Sequence, residues 1–187
     1  MNAALALLGR RRSAAPHLLA GPGPTASELD QILTAASRVP DHGKLAPWRF
    51  LVIEGPARER IGGIIADAFR ADEPGASEDR LATERDRLAR APLVVGVVSK
   101  AQPHPKIPER EQVLSAGAVC MNLIVAANAL GYGTAWLTEW YAFDRRVLDS
   151  LGLRPHETMA GFIHVGRPTE ERPDRPRPAL ADIVTRV

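Results

Sequence analysis

Two short stretches carry more chemistry than their positions demand. Arg10-Arg11-Arg12-Ser13 sets three guanidiniums beside a hydroxyl. Those groups hold a phosphate by several charge-assisted hydrogen bonds. The same arginines follow an apolar stretch, where cations also complement a helix C-terminus. On these four residues alone both readings stand. The second stretch, Arg38 to Phe50, reads RVPDHGKLAPWRF. Pro40, Pro47 and Trp48 suit a tight connection with an aromatic anchor. A turn gives no reason for Asp41, His42 and Lys44 to stand together.

Other chemistries are missing their residues. His17, His42, His104, His156 and His164 show no metal-ligand spacing with one another or with Cys120, so no metal site is expected. Neither a G-x-S-x-G nor a P-loop occurs. GYGTAW, 131–136, lacks the third glycine of a dinucleotide fingerprint. It also runs from helix into strand, the reverse of that fingerprint's order. Cys120 lies in an apolar segment and is expected to be a small buried hydrophobe. His164 falls within a strand pattern.

The elements that position these residues follow from periodicity. Ala4, Leu5, Leu7 and Leu8 give a short first helix over 2–9. Thr25 and Glu28 form a capping box for a second, with Leu29, Ile32, Leu33 and Ala36 as its stripe and Pro40 as its stop. RFLVIE, 49–54, reads as a strand, and Ile61, Ile64, Ile65, Ala68 and Phe69 as the face of a helix. Residues 71–90 are charged and predict a surface loop with a solvated helix. APLVVGVVS, 91–99, predicts a strand buried on both faces. Residues 109–130 predict a long helix ending at Gly131. From Ala116 onward it is apolar on most sides, and a subunit interface would cover its second face. Strands are expected at 133–137 and 159–166, a short helix between them, and a proline-rich tail ending in ALADIVTRV that docks onto something.

The 187 residues form one domain, with 45% apolar and 25% charged residues as in soluble globular chains. A formal net charge of +2 gives no global field for nucleic acid. One cysteine leaves no intrachain disulfide. The apolar runs are expected to fall short of a membrane span. RRR after the apolar N-terminus reverses the charge order of a signal peptide. A cytoplasmic protein with no nucleic-acid or membrane partner is expected. Helices mixed with three or four strands give α+β or three-layer α/β.

Taken in chain order, RRS, then ELDQILTAASRVPDHGKLAPWRF, ALGYGTAWLT and GFIHVGRP resemble the nitroreductase family of FMN-dependent oxidoreductases. The nearest likeness is to its small NAD(P)H nitroreductase subgroup, and it runs over nearly the whole chain. The resemblance implies an α+β, three-layer α/β/α sandwich with a mostly antiparallel sheet, forming an intertwined homodimer. FMN would sit at the interface, and the arm at about 168–187 would reach over the partner subunit.

Residue by residue, Arg11, Arg12 and Ser13 match the stretch that holds the FMN phosphate and ribityl chain. Arg38 and His42 match a loop that approaches the flavin from the partner subunit. Trp136, Leu137 and Thr138 match the lining of the isoalloxazine, and Gly166 and Arg167 a turn near the phosphate. Ala126, Ala127, Asn128, Ala129, Leu130 and Gly131 match a segment linked to nicotinamide cofactor binding. Ala46 stands where the family usually has Gln, and Leu137 where the subgroup has Arg.

The chemistry implied is ping-pong transfer of a hydride from NADH or NADPH through flavin N5 to a nitroaromatic or quinone-like acceptor. No side chain need serve as acid or base, so no catalytic residue is expected. Two alternatives remain open: a non-catalytic dimeric flavin-binding or sensor protein, and a flavin-consuming or dehydrogenase-type relative of the family.

Overall fold

The computed structural model describes residues 2–187. At its centre β3, Leu93–Ser99, is buried at every position. A strand apolar on both faces needs cover on both sides. Its alternate residues find it: Val94 and Val98 enter one apolar cluster, and Leu93, Val95 and Val97 enter another. The first cluster is closed by α3, Pro56–Asp72, and α6, Arg145–Ser150. The second is closed by α2, Ala26–Ala36, and α5, Glu109–Ala129. The result is the expected three-layer α/β/α sandwich.

The sheet has five strands, β1, Leu19–Ala20, β2, Trp48–Glu54, β3, β4, Gly133–Leu137, and β5, Thr158–Pro168. Every ladder between these strands is antiparallel. β5 is the hub, with β3 along one side and β4 then β1 along the other. β2 forms the outer edge beyond β3. Trp48, at its start, packs partly buried against the α2–α5 cluster and so belongs to the core.

Local signals place the helices. Thr25 caps α2 as a full capping box: Glu28 N–H donates to its hydroxyl at 3.3 Å, and Thr25 N–H donates to the Glu28 carboxylate at 2.8 Å. α5 is 21 residues long and, by length and composition alone, apolar enough to cross a membrane. Here it lies over the sheet with α2 beside it, burying Ala116, Val119, Cys120, Leu123, Ile124 and Ala127. That is the place of a core helix. Its other side leaves Val113, Leu114 and Met121 exposed.

One expectation changes. Within 71–90, α4, Glu78–Arg85, is not simply a solvated helix. Leu81 and Leu88 are buried, and Glu84 is fully buried among Arg80, Arg87 and Trp140. Its buried side uses paired charges, which leave no apolar periodicity to read. At the other end, everything beyond Gly166 is exposed. The last helix, α7, Leu180–Ile183, leaves Leu180 and Ile183 in solvent within one chain.

Candidate functional site

The arginine-rich stretch follows α1, Ala3–Arg10, which Asn2 caps by accepting from Ala4 N–H at 2.9 Å. Leaving that helix, the chain is pinned to the start of β4. Ser13 bridges to Thr134, and Ala14 N–H donates to the Thr134 carbonyl at 2.9 Å. Arg11 and Arg12 thereby line two adjoining cavities, and Ser13 lines the smaller of them. One, about 630 Å³, runs past Arg10, Arg11, Arg12, Asn128 and Tyr132 to the start of the C-terminal arm. That lies within the roughly 300–1,000 Å³ typical of small-molecule sites. The other, about 310 Å³, lies between Arg11–Ser13 and the arm's Arg172, Arg175 and Arg177.

The electrostatics there call for an anion. Burial, then the charges of Arg177, Arg12 and Arg175, lower the pKa of Arg11 below its ordinary value. Arg12 donates through one terminal nitrogen to the carbonyls of Gly9, at 2.8 Å, and Arg11, at 2.7 Å. Its other terminal nitrogen pairs with Asp174 on the arm. Its Nε–H is buried and has no partner among the described residues. A buried donor left unpaired is costly, and a phosphate oxygen is an acceptor that would satisfy it.

A polar relay borders the larger cavity. Tyr132 is buried, and its hydroxyl donates to the Glu28 carboxylate at 3.0 Å. The same hydroxyl accepts from Arg167 at 3.3 Å, whose guanidinium stacks 4.5 Å from the Tyr132 ring centre. The capping box of α2 thus also orients the ring that holds Arg167. Tyr132 offered no signal in the sequence beyond standing between two glycines.

The end of α5 contributes unevenly. Asn128 lines the larger cavity and donates to the Ile124 carbonyl at 2.8 Å and the Thr134 hydroxyl at 3.0 Å. Gly131, at φ +84°, also lines it. Ala127 is fully buried in the core, and Ala126 and Leu130 pack against that core. Ala129 is exposed. Gly166 faces packing rather than a cavity: a Cβ there would come within 2.8 Å of Pro92.

The loop from Arg38 to Pro47 forms a second, separate region. Its Asp41 carboxylate accepts from the N–H groups of Leu45, at 3.1 Å, and Ala46, at 2.8 Å. This holds three left-handed residues in place, Gly43 at φ +73°, Lys44 at +55° and Ala46 at +43°. Gly43 is required twice over, because a Cβ would lie 2.3 Å from Ile107. Asp41 therefore shapes the loop. His42 is left free to pair with Glu111 at 2.7 Å in an exposed contact. With Pro40, Leu114 and Ala118 it lines a cavity of about 330 Å³ on the exposed side of α5. Arg38 is exposed, and its carbonyl accepts from Asn122 at 2.9 Å. Within one chain, neither residue lines the arginine cavities.

The third region is the end of β4. Trp136 is 39% exposed, and its indole N–H donates to the Ala160 carbonyl at 3.1 Å. The indole lies over Gly161, where a Cβ would be 2.0 Å from Nε1. Leu137 is half-buried and Thr138 exposed. Cys120, by contrast, is fully buried, and burial pushes its thiol up to about 12. It is a core residue, not a nucleophile.

Residues 8–167 match the sequence profile of the nitroreductase family. The chain belongs to the nitroreductase family. Among relatives, an Escherichia coli protein named "Putative NAD(P)H nitroreductase YdjA" is 38% identical over 165 residues, 88% of each chain. A nitroreductase-like family protein from Bacillus cereus superposes with a TM-score of 0.88 at 18% identity, over 100% of this chain and 97% of that one. A Desulfovibrio desulfuricans protein solved in complex with FMN gives a TM-score of 0.76 at 24% identity, over 100% and 98%. At those identities the structural likenesses establish the fold: this is the nitroreductase sandwich.

Proposed function

We propose that this nitroreductase-family chain is an FMN-dependent NAD(P)H oxidoreductase that reduces nitroaromatic or quinone-like acceptors. It works in the cytoplasm as a homodimer with FMN at the interface. The observation that carries the cofactor is Arg12, which lines an arginine-rich cavity and whose buried Nε–H lacks a partner among the described residues. The E. coli relative's NAD(P)H nitroreductase name and the FMN held by the D. desulfuricans structure support the same reading.

Arg11 and Arg12 hold the phosphate, and Ser13 adds a hydroxyl. Arg167, fixed by Tyr132, adds positive charge near that end. Trp136, Leu137 and Thr138 line the ring, with the Trp136 indole excluding water from one side. The stretch Ala126–Gly131 adjoins the nicotinamide cofactor through Asn128 and Gly131, which reach the cavity. When bound, FMN supplies the hydride chemistry, taking electrons from NADH or NADPH and giving them to the acceptor in a second half-reaction. The Arg11 and Arg12 guanidiniums would compensate the charge of the phosphate.

The separation of the three regions within one chain supports the dimer. Arg38 and His42 lie beside the exposed stripe of α5, Val113, Leu114 and Met121. The α1 residues Leu5 and Leu8 are also uncovered, as are Leu180, Ile183 and Val184 on the arm. A second subunit would cover these surfaces and bring Arg38 and His42 to its partner's flavin, with the arm at 168–187 laid over that partner.

The test is the visible spectrum of purified protein. A flavin spectrum that bleaches with NADH or NADPH and recovers with an acceptor is expected. Colourless protein that cannot be reconstituted with FMN overturns the reading. Yellow protein that oxidises no NAD(P)H with any acceptor reduces it to flavin binding alone.

A further inference from the structure

Immediately after the ring-lining stretch, Glu139 enters a cluster of buried charge. Its Oε1 accepts from Arg87 at 2.8 Å, and its Oε2 accepts from Arg90 at 2.5 Å and from the Tyr141 hydroxyl at 2.9 Å. Arg87 is itself fixed, donating to both oxygens of the fully buried Glu84 at 3.0 and 2.8 Å. Trp140 N–H donates to that same Glu84 at 2.7 Å. The Arg87 carbonyl meets His164 Nε2 at 3.2 Å, and His164 is paired across the sheet with Ala135 of β4. The carboxylate is gripped from two sides by a segment anchored to the sheet.

Leu137 gives this grip a consequence. An aliphatic side chain at 137 offers no charge to a polar ring edge, so polar contact from this stretch falls to the backbone and to Thr138. Backbone donors act only from a fixed position, because a small displacement loses the hydrogen bond. β4 pairs with β5 as far as Leu137 and no further. Beyond the ladder, the first firm anchor is the Glu139 side chain.

We propose that Glu139, clamped by Arg87 and Arg90, is a positioning residue that fixes the backbone of Leu137 and Thr138 against the flavin. This rests on the reading that Trp136–Thr138 line the isoalloxazine. It acts through position, touching neither cofactor nor substrate.

The test compares holoenzyme variants by FMN titration, visible spectrum and flavin midpoint potential. Glu139→Gln keeps the side-chain shape but replaces one acceptor oxygen with a donor facing an arginine. It should weaken FMN binding roughly tenfold, about the loss of one hydrogen bond from the displaced Leu137–Thr138 backbone, and shift both spectrum and potential. Glu157→Gln breaks another buried ion pair, with Arg49, and serves as the control for lost stability. It should lower the melting temperature while leaving spectrum and potential unchanged. Should Glu139→Gln fail to fold, Arg90→Lys, which keeps the charge but loses the planar grip, should give the same flavin shifts. Wild-type protein that takes up no FMN would overturn the cofactor reading and this one together. Bound FMN with affinity, spectrum and potential unaltered by Glu139→Gln or Arg90→Lys, or altered equally by Glu157→Gln, would overturn this one alone.

Discussion

Asp174, on the C-terminal arm, forms an ion pair with Arg12 at the end of the first helix. It is the acid set among Arg11, Arg12, Arg172, Arg175 and Arg177 around the smaller cavity. A carboxylate there competes with a phosphate for the same guanidinium. Asp174→Asn should therefore tighten FMN binding, by roughly two- to fivefold given the modest strength of an exposed pair. Titration monitored by flavin fluorescence reads this directly, and weaker binding in the variant would contradict it.

Arg12→Ala should lose FMN while keeping the fold. Its contacts within the chain are to the Gly9 and Arg11 carbonyls at the C-terminal end of α1 and to the exposed Asp174. None of them joins core elements. Affinity should fall at least tenfold, as for loss of a charge-assisted contact, with an unchanged far-ultraviolet circular dichroism spectrum. Undiminished affinity would refute the phosphate role.

Arg49 and Glu157 make a two-point ion pair at 3.0 and 2.7 Å, and Glu157 is 1% exposed. The Arg49 hydrogen bond, with help from the Arg154 N–H, holds the Glu157 carboxyl at about 2. Its stabilising contribution is present above pH 4.5 and is lost as the pH falls through about 2. Arg49→Leu strands the buried carboxylate and should cost about 3–5 kcal/mol in urea denaturation at neutral pH. The loss should shrink as acid protonates Glu157.

His164 is fully buried, and burial lowers its pKa from 6.5 to about 4. Between those values the unfolded chain binds a proton that the folded chain does not. Stability should thus be complete above pH 6.5 and decline as the pH falls towards 4. His164→Gln can still donate to the Arg87 carbonyl. The variant should flatten this dependence in melting temperatures measured from pH 7 to pH 4.

Leu114 and Met121 are exposed on one side of α5, next to the cavity beside His42. Leu114→Glu puts a charge on the proposed subunit face without touching the core. Size-exclusion chromatography should show a monomer, and that monomer should hold no FMN. A monomer that kept FMN would remove the shared site.

Much of the fold is legible from local pattern. Thr25 and Glu28 mark the start of α2 because a capping box is complete within four residues. The unbroken apolar run of β3 announces burial on both faces because its alternate side chains enter two cores. Gly131 ends α5 because the chain there turns left-handed, at φ +84°. The expectation of an anion site at Arg11–Ser13 likewise rests on adjacent residue types.

Other features are decided by contacts between residues far apart in sequence, which periodicity does not record. The 71–90 segment reads as solvated because it is charged, yet Glu84 is buried once Arg80, Arg87 and Trp140 surround it. Asp41 looks like a candidate for chemistry until its carboxylate is seen holding the N–H groups of Leu45 and Ala46. Tyr132 and Glu139 carry no motif, and their contacts with Arg167 and Arg90 arise only in the fold. The sequence alone determined the sandwich and the family, because propensity, burial pattern and residue type are local properties. Tertiary structure alone decided which charges are buried in pairs, because a charge is neutralised by whatever neighbour folding brings to it.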